Sequence, residues 1–107
     1  MKTVYIAGPY SNGDQGVNVR RAIDLGDALL RMGYAPYIPH LTHFWNLIHP
    51  GEYEMWMELD FAWLSKSDFV LRIPGYSNGV DREVELAIEL GIPVFTSVNM
   101  LMEATRP

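Results

Sequence analysis

A chain of 107 residues, 49% hydrophobic and 20% charged, has the make-up of one small globular domain covering residues 1–107. Eight Lys and Arg against 13 Asp and Glu give a net charge of −5, which argues against broad binding to polymeric nucleic acid or to an anionic membrane. With no Cys there are no disulfides, thiolate nucleophiles or cysteine-ligated metals, and a cytoplasmic setting is expected.

The opening MKTVYIAGPY lacks the apolar run and cleavage site of a secretion signal. Thr3–Ala7 is β-branched, aromatic and apolar and ends at Gly8-Pro9, so it reads as a buried strand. Tyr10–Gly16 is rich in turn formers and reads as a loop. Val19, Ala22, Ile23, Gly26, Leu29 and Leu30 follow the spacing of an amphipathic helix that stops at Gly33. Tyr34–Ile38 is a short extended run, and its Pro36 suits an edge strand. His40–Gly51 has no clean period and reads as a loop or a short turn of helix. Glu52–Ser65 reads as a second helix and Asp68–Ile73 as a third strand. Val80–Leu90 is a third helix, Pro93–Thr96 a fourth strand, and Val98–Ala104 a last helix. Alternating strands and helices argue for a parallel sheet with helices on its faces. Ligands of such sheets bind beyond the carboxyl ends of the strands, here at Gly8–Gly16, His40–Gly51 and Pro74–Gly79.

Most acids fall on solvated faces: Asp81, Glu85 and Glu89 share one, Glu54 and Glu58 another. Glu83 does not. Its helical neighbours are Gly79, Val80, Leu86 and Ala87. Asp60, among Trp56, Met57, Trp63 and Leu64, repeats the pattern. A carboxylate on an apolar face is costly unless paired or neutralised, which marks both as candidates for chemistry. Two carboxyls facing one cleft suit glycosyl transfer, one at the anomeric carbon and one handling a proton. Ser77 or Asn78 can cap the helix that carries Glu83, where free N–H groups attract an anion and Gly79 lets a ligand approach. Tyr5, in the first strand, and Tyr10, just after it, complete the list from that end of the sheet. His40, His43 and His49 lack an acidic companion, so no metal is assigned to them. With Phe44 and Trp45, they are expected to wall a base or sugar. The segment after the first strand carries neither the P-loop nor the dinucleotide fingerprint, so neither ATP nor NAD is expected, and no cofactor is assigned.

Tyr5-Ile6-Ala7-Gly8-Pro9-Tyr10, then Asp60 and Asp68, then Ser77-x-Gly79-x-x-x-Glu83 with Ala87 and Gly91-Ile-Pro-Val, resembles the nucleoside 2-deoxyribosyltransferase-like superfamily. The chain looks most like its short bacterial and phage branch, related to the nucleoside 5′-monophosphate N-glycosidases. The resemblance implies a three-layer flavodoxin- or Rossmann-like α/β fold with a four- to five-stranded parallel sheet. It also implies cleavage of an N-glycosidic bond in a (deoxy)nucleoside or its 5′-monophosphate, by hydrolysis or base exchange. Glu83 takes the place of the nucleophile, Asp60 of the group near sugar and base, and Tyr5 of the hydroxyl that bonds the catalytic glutamate. Ser77 stands where the nucleotide hydrolases help hold the 5′-phosphate. Those hydrolases also place a serine and an arginine shortly after the first strand, where this chain has Pro9 and Ser11; Arg20, Arg21 and Arg82 are the cations available instead. Substrate contacts are expected at Gly8, Tyr10, Ser11, His43, Trp45, Ser77, Asn78 and Gly79.

Two other readings share these residues: a nucleotide-binding module without turnover, and an interaction protein whose Trp45, Trp56 or Trp63 surface is mainly an interface. A homodimer or homotetramer is expected under all three, because the helix with Met55, Trp56, Met57, Phe61 and Trp63 carries more apolar surface than one side of a small sheet needs.

Overall fold

In the computed structural model, described for residues 1–105, four strands form one parallel sheet. The strands are β1 (Thr3–Ala7), β2 (Ala35–Tyr37), β3 (Phe69–Arg72) and β4 (Val94–Phe95), in the order β2-β1-β3-β4. The helices are α1 (Gln15–Arg31), α2 (Thr42–Ile48), α3 (Tyr53–Leu64), α4 (Asn78–Glu89) and α5 (Val98–Thr105), with a 3₁₀ turn at Pro39–Leu41.

Helices cover both faces of the sheet, which is why β1 is apolar at almost every position. Val4 and Ile6 of β1 join Ala22 and Leu29 of α1 and Leu101 of α5 in one core layer. Tyr5 and Ala7 point the other way, to Leu64 of α3 and Val80 and Ala87 of α4. β1 pairs on one side with β2 (Tyr5 beside Tyr37) and on the other with β3 (Tyr5 beside Val70). The chain leaves β1 for β2 and then returns past β1 to reach β3, so strand order reverses at β1. The crevice opens at such a reversal, past Ala7 and Arg72.

The elements match the sequence reading, with shifts at their ends. α1 begins at Gln15, four residues before the apolar period, because the Asp14 side chain accepts from Val17 N–H and caps it. The loop before it is therefore shorter than Tyr10–Gly16. Gly33 follows the α1 C-cap with φ of 96°, a conformation glycine adopts without strain. The aperiodic His40–Gly51 segment holds the 3₁₀ turn and α2, a helix with no buried residue and so no apolar stripe to read. α4 starts at Asn78, capped by Ser77, whose hydroxyl accepts from Val80 N–H.

Candidate functional site

A cavity of about 770 Å³ opens beyond the carboxyl ends of β1 and β3. The loop after β1, the segment around α2, and the loop and first turn of α4 all contribute to its wall, together with α3. Asn18, buried on α1, ties the first loop down: its amide donates to the carbonyls of Tyr10 at 3.0 Å and Asn12 at 2.8 Å.

Glu83 and Asp60 both line this cavity. Glu83 sits on the inward face of α4 with Val80 and Ala87 and is only 6% exposed. The Tyr5 hydroxyl, rising from β1 through the buried layer, donates to Glu83 Oε2. Burial pushes the Glu83 carboxyl up to about 8; the Tyr5 hydrogen bond opposes that shift and the nearby Asp60 charge adds to it. Burial likewise pushes Asp60 up to about 7. Tyr5 is held far above its usual range, first by burial and then by the Glu83 charge, so it remains a hydrogen-bond donor. Its ring stacks on Tyr37 of β2 at 5.6 Å, and Tyr37 stacks on Trp63 of α3 at 5.6 Å. This aromatic column fixes where the hydroxyl stands.

Among the described residues, two buried side-chain polar atoms lack a hydrogen-bond partner, His40 Nδ1 and Asp60 Oδ1, and both residues line this one cavity. Natural cores leave few such atoms because each costs about 1–3 kcal/mol. His40 Nε2–H donates to the carbonyls of Gly8 and Pro9, both at 3.1 Å, which clamps the end of β1. Burial lowers the His40 pKa, and the two backbone hydrogen bonds partly offset that.

Of the expected substrate contacts, Gly8, Tyr10, Ser11, His43, Ser77, Asn78 and Gly79 line the cavity. Tyr10 Oη lies 2.6 Å from His43 Nδ1, within hydrogen-bond distance, and burial raises the Tyr10 pKa. Tyr5 lies beneath the wall and reaches the site through Glu83. Trp45 does not line it: half-exposed, it packs edge-on against Trp56 at 5.2 Å, and it is Trp56 that forms wall. Of the three arginines considered, only Arg82 lines the cavity. Its guanidinium is engaged bidentately by Glu54 at 2.7 and 3.0 Å and lies over the rings of Tyr53 and Phe61. Glu54, read as a solvated acid, is therefore also part of the cavity rim. The remaining solvated acids, Glu58, Asp81, Glu85 and Glu89, are exposed.

Sequence reasoning missed Asn46, Tyr53 and Gln15, all in the wall. Asn46 carried the one readable hint, a polar residue within the apolar run Phe44–Ile48.

No curated protein matches the chain. A solved structure of a 2-deoxyribosyltransferase from the psychrotolerant bacterium Bacillus psychrosaccharolyticus superposes with a TM-score of 0.67 at 18% identity, over 94% of this chain and 80% of that one. That likeness shows a shared α/β fold with a parallel sheet. A family model described as "Domain of unknown function (DUF7768)" matches residues 2–97, and the chain belongs to that family.

Proposed function

We propose that this protein breaks the N-glycosidic bond of a nucleoside or a nucleoside 5′-monophosphate, with Glu83 as nucleophile, by hydrolysis or base exchange. The observation that carries this reading is the buried Glu83 carboxyl, held by the Tyr5 hydroxyl in the wall of a cavity that also presents Asp60. The 2-deoxyribosyltransferase likeness in fold supports it.

Oε2 of Glu83 takes the Tyr5 hydrogen bond, which leaves Oε1 for the sugar. Ionised Glu83 attacks C1′, the C1′–N bond breaks through an oxocarbenium-like transition state, and a glycosyl ester forms. Asp60, poised near neutrality by burial, delivers the proton that lets the base depart. Water then hydrolyses the ester, or a second base takes up the sugar. No metal or cofactor enters this scheme. A homodimer or homotetramer belongs to the same proposal: no residue of α2 is fully buried within the chain, and Phe44, Trp45, Leu47 and Ile48 are all at least half exposed. Light scattering tests that part.

Glu83→Ala decides the chemistry. Base release from a panel of nucleosides and 5′-monophosphates, read by chromatography, is expected to fall by at least about a thousandfold while the circular dichroism spectrum is retained. Undiminished release would remove Glu83 as nucleophile. Binding without release by the unmodified protein would make it a nucleotide-binding module instead.

A further inference from the structure

The α2–α3 corner of the cavity is built around one amide. Asn46 Oδ1 accepts two hydrogen bonds, from Gly51 N–H at 2.9 Å and from the Trp56 indole Nε1–H at 2.9 Å. Both partners are donors only, so the oxygen of the amide is assigned by chemistry and the flip is settled. The two N–H groups of Asn46 Nδ2 then have no partner among the described residues. Asn46 and Trp56 both line the cavity, and Trp45 buttresses the Trp56 ring from behind. Gly51 sits tightly in this corner: a Cβ there would lie 2.1 Å from the mobile end of Met55, at Cε, and 3.1 Å from Trp56 Nε1.

This corner offers a ligand an aromatic surface next to a donor pair that cannot rotate into an acceptor. We propose that Asn46 reads the nucleobase, donating to a ring carbonyl, and that the site therefore selects oxo bases (the hypoxanthine and uracil type) over bases that present an exocyclic amine at that position. The inference rests on the glycosidic reading for its substrate class and adds to it which base is taken. An amine in that place would set donor against donor and leave both unpaired, and site-lining polar groups discriminate strongly on this basis. Donation to the carbonyl also stabilises the base as it leaves with the electron pair of the C1′–N bond.

Asn46→Asp separates this role from a structural one. The carboxylate still accepts from Gly51 and Trp56, so the turn is retained, but both donors are gone. Two readouts are taken together. One is binding of free hypoxanthine, adenine, uracil and cytosine by calorimetry. The other is base release from the corresponding nucleosides. The unmodified protein is expected to favour hypoxanthine over adenine and uracil over cytosine, and Asn46→Asp to cut that preference about tenfold to a hundredfold with little change in melting temperature. Trp56→Phe keeps an aromatic ring but removes one of the two holds on the amide; it should erode the same preference several-fold, and it serves if Asn46→Asp fails to fold. A preference unchanged in the folded variants, with turnover intact, overturns the Asn46 assignment and leaves the glycosidic reading standing. A variant-sensitive preference in base binding, with no nucleoside cleaved, does the reverse. Neither binding nor cleavage overturns both.

Discussion

Under the proposed mechanism the two buried acids set a narrow pH window. The proposed step needs Glu83 ionised and Asp60 protonated in the same molecule, yet Glu83 is raised to about 8 and Asp60 to about 7. The stronger acid must keep its proton while the weaker one loses it. At about pH 7.5, roughly a quarter of the molecules have Glu83 ionised and roughly a quarter have Asp60 protonated, so the reactive form is about 6% of the protein. The kcat/KM for base release should therefore trace a bell centred near pH 7.5, its limbs near 7 and 8 belonging to the pair, each falling about tenfold per pH unit. Asp60→Asn deletes both the acid and the negative charge beside Glu83. The alkaline limb should vanish. The one remaining acid limb should report Glu83 alone, at or somewhat below about 8 once its anionic neighbour is gone, rather than the pair's limb near 7, and the peak rate should drop about a hundredfold to ten-thousandfold. Initial rates by chromatography from about pH 5 to about pH 10 measure all three effects. An acid limb near pH 4 in the unmodified protein would mean that burial does not raise the stronger acid of the pair. An unchanged alkaline limb in Asp60→Asn would remove Asp60 as the proton source.

Tyr5→Phe removes the hydroxyl that favours ionised Glu83, so the alkaline limb near 8, which follows the weaker acid of the pair, should move to higher pH and the peak kcat/KM should fall; an alkaline limb that stays in place would show that the hydrogen bond does not tune the acid. Gly75→Ala introduces a Cβ 2.7 Å from Pro9 Cγ at a φ of 132°, and it should destabilise the fold by about 1–3 kcal/mol in urea titrations, because it strains the contact between the loops that follow β1 and β3. Glu54→Gln frees the Arg82 guanidinium, the one Arg or Lys in the cavity wall among the described residues, and should shift kcat/KM toward 5′-monophosphates relative to nucleosides by about tenfold while the melting temperature barely moves, the pair being partly exposed.

The parts of this site that could be read from sequence are those where a residue contradicts its surroundings. Glu83 and Asp60 stand at helical spacings that belong to apolar side chains, and that conflict is visible without coordinates. β1 is equally plain, because a strand buried on both faces has to be apolar throughout. The cap at Ser77 is a local event and was legible for the same reason. What escaped are polar residues in polar or aperiodic surroundings, whose meaning depends on a partner remote in the chain. Glu54 and Arg82 are 28 positions apart, and spacing alone makes Glu54 an ordinary solvated acid. Asn46 gains its orientation from Gly51 and Trp56, and α2, with no fully buried residue, leaves no period to place it. Trp45 and Trp56 differ in a way no propensity records: the same residue type serves as wall at one position and as buttress at the other. Sequence thus exposes the groups whose burial is costly, which are those that do the proposed chemistry. The proposed substrate choice rests on groups whose placement costs little, and these become legible only once the cavity that joins them is known.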